Sequence, residues 1–145
     1  MHLQLTTAVT APLPTVWRGF DRDLFKKLSP PFPPVRVLRF DGCMKDDQVI
    51  LELNFLLFRQ QWQSLITDQA ETEAEIYFID EGIRLPFFLK GWKHTHRLRA
   101  LPSGGTSVED DIQFFSPHPL LDYLLYPLLW LQFAYRKPIY RRVFS

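Results

Sequence analysis

The sequence predicts an α+β domain: a run of sequential antiparallel strands closed by one long apolar helix. Three observations carry this. Period-two apolar alternation recurs from Val35 to Phe115 with turn residues between the runs. No helical crossover interrupts those runs. From Leu120 to Tyr135 the chain is apolar around most of a helix, with Asp122 its only charge.

The 145 residues suit a single domain spanning 1–145, and 46% hydrophobic with 15% aromatic content supplies a core. Seventeen Lys+Arg against 16 Asp+Glu leave a net charge of +1. A nucleic-acid binder needs a basic surplus, so no nucleic-acid partner is expected. Cys43, the single cysteine, can form no internal disulfide and no Cys-rich zinc site. The N-terminus lacks a signal-peptide pattern, so the expected compartment is the reducing cytoplasm.

Leu3, Leu5, Thr7 and Val9 alternate with His2, Gln4, Thr6 and Ala8, which predicts a first strand ended by Pro12 and Pro14. Thr15 can cap a short helix through Phe20, and a second spans Asp21 to Leu28 with Leu24, Phe25 and Leu28 on one side. Ser29-Pro30-Pro31-Phe32-Pro33-Pro34 forbids helix and sheet and reads as an extended connector. Strands follow over 35–41, 48–58, 59–69, 73–79, 86–101 and 107–115. In the second of these Val49, Leu51, Leu53, Phe55 and Leu57 point inward, and Glu52 and Asn54 outward. Trp62, Ser64 and Ile66 share a face in the third. Asp80-Glu81-Gly82 reads as a turn with Gly82 at positive φ. Ser116 is placed as N-cap of the final helix, with Pro117 in its first turn and Pro127 as a kink.

A strand, two short helices, six antiparallel strands and a long C-terminal helix is the order of a helix-grip fold. The stretches Gly91-Trp92-Lys93-His94-Thr95-His96-Arg97-Leu98, Gly105-Thr106-Ser107-Val108-Glu109-Asp110-Asp111-Ile112 and Phe114-Phe115-Ser116-Pro117 resemble one branch of the START/Bet v 1-like (SRPBCC) superfamily. The resemblance covers nearly the whole chain. It implies a strongly curved sheet of about seven strands wrapped around the C-terminal helix. It also implies an apolar or amphipathic small-molecule ligand in the cavity between them: a lipid, a quinone or a polyketide-like compound. Some relatives are polyketide cyclases or dehydratases, so the fold does not fix the chemistry.

On strand 90–101, Trp92, His94, His96, Leu98 and Ala100 share one face, and Lys93, Thr95, Arg97 and Arg99 the other. The charged set belongs in water, so both histidines face the concave side. A three-residue loop Ser103-Gly104-Gly105 would set Leu98 opposite Asp110 and His96 opposite Ile112, with Asp110 diagonal to His96 on the inward face. Such a His–Asp couple either satisfies two buried polar groups or meets a ligand, as a polar contact or as a cyclase/dehydratase-type acid–base pair. His94, His96 and Asp110 are the candidate catalytic residues. Two histidines with Asp110 as the one plausible third ligand are too few for a metal, so neither metal nor cofactor is expected. Cys43 has no base beside it.

The candidate ligand-contacting residues are Trp62, Phe78, Phe88, Trp92, His94, His96, Asp110, Phe114 and Tyr123, with Phe87 a further aromatic that could face inward. On the last helix, Leu120, Leu124, Leu128, Leu131 and Tyr135 form the expected inner stripe. Leu121, Leu125, Leu129 and Phe133 would be left for a homodimer or, with the basic cluster Arg136, Lys137, Arg141 and Arg142, for a peripheral membrane contact.

Overall fold

The computed structural model describes residues 1–145. Seven strands form one antiparallel sheet: β1 (His2–Val9), β2 (Val35–Phe40), β3 (Gln48–Asn54), β4 (Arg59–Glu71), β5 (Glu75–Arg84), β6 (Gly91–Ala100) and β7 (Thr106–Phe115). Their order is β1-β7-β6-β5-β4-β3-β2. Helices α1 (Leu13–Arg18) and α2 (Arg22–Leu28) follow β1, and α3 (Pro119–Ala134) and α4 (Arg136–Val143) close the chain. The expected α+β class, seven-strand sheet and paired short helices are all present.

Strict alternation makes β1 an unambiguous strand: Leu3, Leu5, Thr7 and Val9 are buried and every intervening residue is exposed. Pro12, not Thr15, stands at the start of α1, with Leu13 and Pro14 in its first turn. Asp21 caps α2 by accepting the Leu24 N–H at 2.9 Å. Val16, Leu24 and Leu28 then lie in a core with Phe78, Leu98, Val108, Tyr140 and Phe144. A second core joins Leu3, Leu89, Trp92, Ile112 and Phe114 to Leu129 and Phe133 of α3.

Several expectations are corrected. The chain makes a hairpin after Asn54, so Leu57 is 95% exposed at its tip rather than inward. The β6–β7 connection runs from Leu101 to Gly105, closed by the Leu101 N–H donating to the Gly105 carbonyl at 2.9 Å. This five-residue loop shifts the expected register by two, so that His96 faces Asp110 and Leu98 faces Val108. A shift of two keeps every side chain on its expected face. Gly105 is required there by close approach, since a Cβ would lie 2.4 Å from the Val9 carbonyl oxygen.

Asp80-Glu81-Gly82 is not a turn. Strand β5 continues to Arg84, pairing with β4 around two register shifts, and positive φ among the glycines occurs at Gly42 and Gly104, not Gly82. The pleat that points Ile76 and Phe78 inward therefore carries Asp80 inward too.

His118, not Ser116, caps α3: its ring Nδ1 accepts the Leu120 N–H at 3.1 Å, and Pro119 occupies the first turn. The inner stripe is the opposite of the expected one. Leu129 and Phe133 are buried, with Leu121 and Leu125 half-buried beside them. Leu120, Leu124, Leu128, Leu131 and Tyr135 are exposed. Leucine occupies both stripes, so apolar periodicity alone cannot choose the phase. Arg136 and Tyr140, one and two turns further along the buried face, need polar partners and find one in Asp110. Pro138 sits in the first turn of α4, where a missing N–H is tolerated. No helix is long and apolar enough to cross a membrane.

Candidate functional site

Strands β5, β6 and β7 lay down two cross-strand rows. Asp80 pairs with His94 and then Ile112; Phe78 pairs with His96 and then Asp110. All six side chains point to the concave side, so Asp80 and Asp110 flank the two neighbouring imidazoles from opposite strands. The two rings are 3.6 Å apart between centroids. His94 and His96 are each 3% exposed, and so is Asp110.

Burial obliges these groups to satisfy one another. The His94 Nε2–H donates to Asp110 Oδ1 at 2.9 Å, and the His96 Nε2–H donates to Asp80 Oδ2 at 2.8 Å. The Trp92 Nε1–H donates to Asp80 Oδ1 at 3.2 Å. The remaining ring nitrogens face the other carboxylate: His94 Nδ1 is 3.5 Å from Asp80 Oδ2, and His96 Nδ1 is 3.8 Å from Asp110 Oδ1. The Tyr140 hydroxyl donates to Asp110 Oδ2 at 3.4 Å. Arg136 Nη1 lies 3.6 Å from Asp110 Oδ1, and its guanidinium stacks 4.3 Å above the Phe133 ring.

Burial lowers the His96 pKa to about 4, and the neighbouring His94 pushes the same way against Asp80 and Asp110, so His96 is neutral near pH 7. Burial opposes ionisation of Asp110, but the His94 hydrogen bond and the Arg136 charge overcome it and hold the carboxyl at about 2. Asp80 follows the same logic: burial works against its charge, and the His96 hydrogen bond with the histidine charges lowers its pKa.

Above this polar floor lies a cavity of about 240 Å³ between the sheet, α2 and α3. Leu51, Leu53, Trp62, Phe78, Phe88 and Trp92 line it from the sheet side, Leu125, Leu129 and Phe133 from α3, and Pro30 and Pro33 from the connector. Asp80, His94, His96 and Arg136 contribute its polar wall. Trp62 and Trp92 meet edge to face at 4.6 Å.

Of the residues singled out from the sequence, Trp62, Phe78, Phe88, Trp92, His94 and His96 come together on this wall. Asp110 stands one layer behind His94. Phe114 is sealed in the second core rather than lining the cavity. Tyr123 is 70% exposed on the outer face of α3, and Phe87 is 65% exposed, so neither can line it. Arg136 is not part of a surface basic cluster, because it turns inward to Asp110. Asp80 is the residue sequence reasoning missed. Its signal was the alternation Ile76, Phe78, Asp80, which a D-E-G turn motif masked.

No protein-family model matches the sequence, and a search of curated proteins finds no match. Solved structures do match. The Zhui aromatase/cyclase from Streptomyces sp. R1128 superposes with a TM-score of 0.69 at 15% identity, covering 95% of this chain and 89% of its own. Ara h 8.0201 gives 0.57 at 12% identity, covering 96% of each chain. A truncated norcoclaurine synthase from Thalictrum flavum gives 0.59 at 12% identity, covering 92% of this chain and 88% of its own. At such identities the likeness is one of fold alone: the chain shares the helix-grip fold of these three proteins.

Proposed function

We propose that the protein binds a hydrophobic or amphipathic small molecule in the cavity between sheet and α3. The observation that carries this is the cavity's composition: an aromatic and aliphatic wall meeting one polar patch at Asp80, His94, His96 and Arg136. That is the anatomy of a small-molecule site. At about 240 Å³ the space falls just below the usual ligand-pocket range of about 300–1,000 Å³, which suits a compact ring system or a short chain rather than a whole membrane lipid. Burying on the order of 300 Å² of apolar ligand surface stabilises the complex by about 7.5 kcal/mol before association costs. Incubation with lipid, quinone and polyketide pools, followed by native mass spectrometry, tests the reading. Retention of one apolar compound per chain is expected; no retained compound from any pool refutes it.

A second reading is acid–base chemistry of the cyclase or dehydratase type by His94 or His96 with Asp110. Contact of both imidazoles with the cavity favours it. Against it, every ring nitrogen of the pair is turned toward a carboxylate rather than toward open space. Turnover of candidate polyketides by the parent protein that is lost in His96→Gln and Asp110→Asn would establish this reading.

The outward apolar face of α3 is proposed as a contact between copies of the chain, since monomers rarely expose so many contiguous large apolar side chains. A buried free thiol at Cys43 suits a reducing cytoplasm.

A further inference from the structure

We infer that Asp80, His94 and His96 form a binding site for a divalent first-row transition-metal ion, with His94 Nδ1, His96 Nε2 and Asp80 Oδ2 as ligand atoms and the cavity supplying the open position. One ligand atom from each of the three residues lies within 4.8 Å of the others. Metal–ligand bonds of about 2.1 Å at tetrahedral angles put ligand atoms about 3.4 Å apart. Asp80 Oδ2 is 2.8 Å from His96 Nε2 and 3.5 Å from His94 Nδ1, so a side-chain shift of about 0.6 Å at the first edge and almost none at the second would complete them.

The surrounding groups fit this assignment independently. Metal-ligating imidazoles need their second nitrogen held by an acceptor, commonly a carboxylate. Asp110 stands on the far side of both rings, 2.9 Å from His94 Nε2 and 3.8 Å from His96 Nδ1. His96 Nδ1 is a buried atom without a hydrogen-bond partner. Coordination through Nε2 moves the ring proton to Nδ1, 3.8 Å from Asp110 Oδ1, so a ring shift of more than about half an ångström toward Asp110 would give the orphaned atom its acceptor. Charge agrees as well. One buried and one half-buried carboxylate face one guanidinium, and Arg136 stands on the Asp110 side. The cluster therefore has room for added positive charge beside Asp80.

Two imidazoles and one carboxylate suit Zn(II), Fe(II) or Co(II) better than Mg(II) or Ca(II), which favour all-oxygen shells, or Cu(I), which favours sulfur. Three protein ligands with an open fourth position are the pattern of a reactive rather than a structural site. This inference stands apart from the apolar-ligand reading, because the cavity could hold its occupant with or without a metal beneath it.

Full-length protein dialysed against chelator and titrated with Co(II) tests it. One equivalent should produce a saturable visible absorption band that Zn(II) abolishes. Asp80→Asn should weaken Co(II) binding at least about tenfold, and Asp110→Asn by about 10- to 100-fold without changing the stoichiometry. His2→Ala, at an exposed imidazole, should leave binding unchanged. Imidazole ¹⁵N resonances of the unmutated protein locate the ion even where a variant fails to fold. Zn(II)-induced shifts at His94 and His96 support the site. Absence of a saturable band, binding insensitive to a folded Asp80→Asn, or shifts confined to His2 or His118 overturns it.

Discussion

Asp80 Oδ2 accepts a hydrogen bond from His96 Nε2 at 2.8 Å while lying 3.5 Å from His94 Nδ1, so one carboxylate from β5 touches both histidines of β6. The Phe78 ring stacks on His96 at 4.2 Å from one side, and Phe133 of α3 meets His94 edge-on at 5.2 Å. The polar cluster is thus clamped by the sheet's own aromatics and by the helix across the cavity.

Asp110 is the shared partner of His94, Tyr140 and Arg136. Asp110→Ala removes all three contacts and leaves a largely buried guanidinium without its counter-charge. A loss of about 3 kcal/mol is expected in urea unfolding. A change under about 1 kcal/mol would mean that Arg136 re-solvates freely.

Leu51→Trp places a large ring on the cavity wall at a half-buried position of β3. Binding of an apolar dye should fall at least about tenfold, with far-ultraviolet circular dichroism unchanged. Undiminished dye binding by the folded variant would place the dye outside the cavity.

Burial pushes the Cys43 thiol up to about 12, with the charges of Asp80, Asp47 and Asp21 adding to the effect. An unfolded thiol ionises near about 8.5. The folded chain keeps its proton in the window between these values while the unfolded chain loses it. The contribution to stability is therefore complete below about 8.5 and falls as pH rises toward about 12. Because the thiolate is the nucleophile, native Cys43 should be alkylated by iodoacetamide at pH 9 at least about a hundredfold more slowly than in urea. Comparable rates would show the thiol to be accessible and unperturbed.

Leu120, Leu124, Leu128 and Leu131 present an apolar surface along α3. Light scattering should show concentration-dependent association of the parent protein. Leu124→Lys with Leu128→Lys should shift it toward monomer while dye binding in the cavity persists. A parent protein that stays monomeric at high concentration would remove the proposed contact between copies.

How far the sequence could be read differs between elements for physical reasons. Side-chain parity along β6 was readable because Lys93, Arg97 and Arg99 must reach water, and this alone turned His94 and His96 inward. The pairing of His96 with Asp110 was not readable to the residue. It depends on the length of the Leu101–Gly105 connection, although the error of two positions preserved the face. Asp80 was hidden by its neighbours Glu81 and Gly82, whose turn propensity was overridden by pairing with β4. The phase of α3 was undetermined because leucine fills both of its stripes; burial of Arg136 and Tyr140 beyond it settled which stripe faced the sheet.

Intrinsic fluorescence tests the central claim most directly, since Trp62 and Trp92 both line the cavity. Titration with a compact apolar ring compound should change tryptophan emission saturably at one equivalent, and Leu51→Trp should abolish that saturable change. Emission that stays flat or drifts linearly with added compound, alike in the parent and the folded variant, would contradict a ligand-binding cavity.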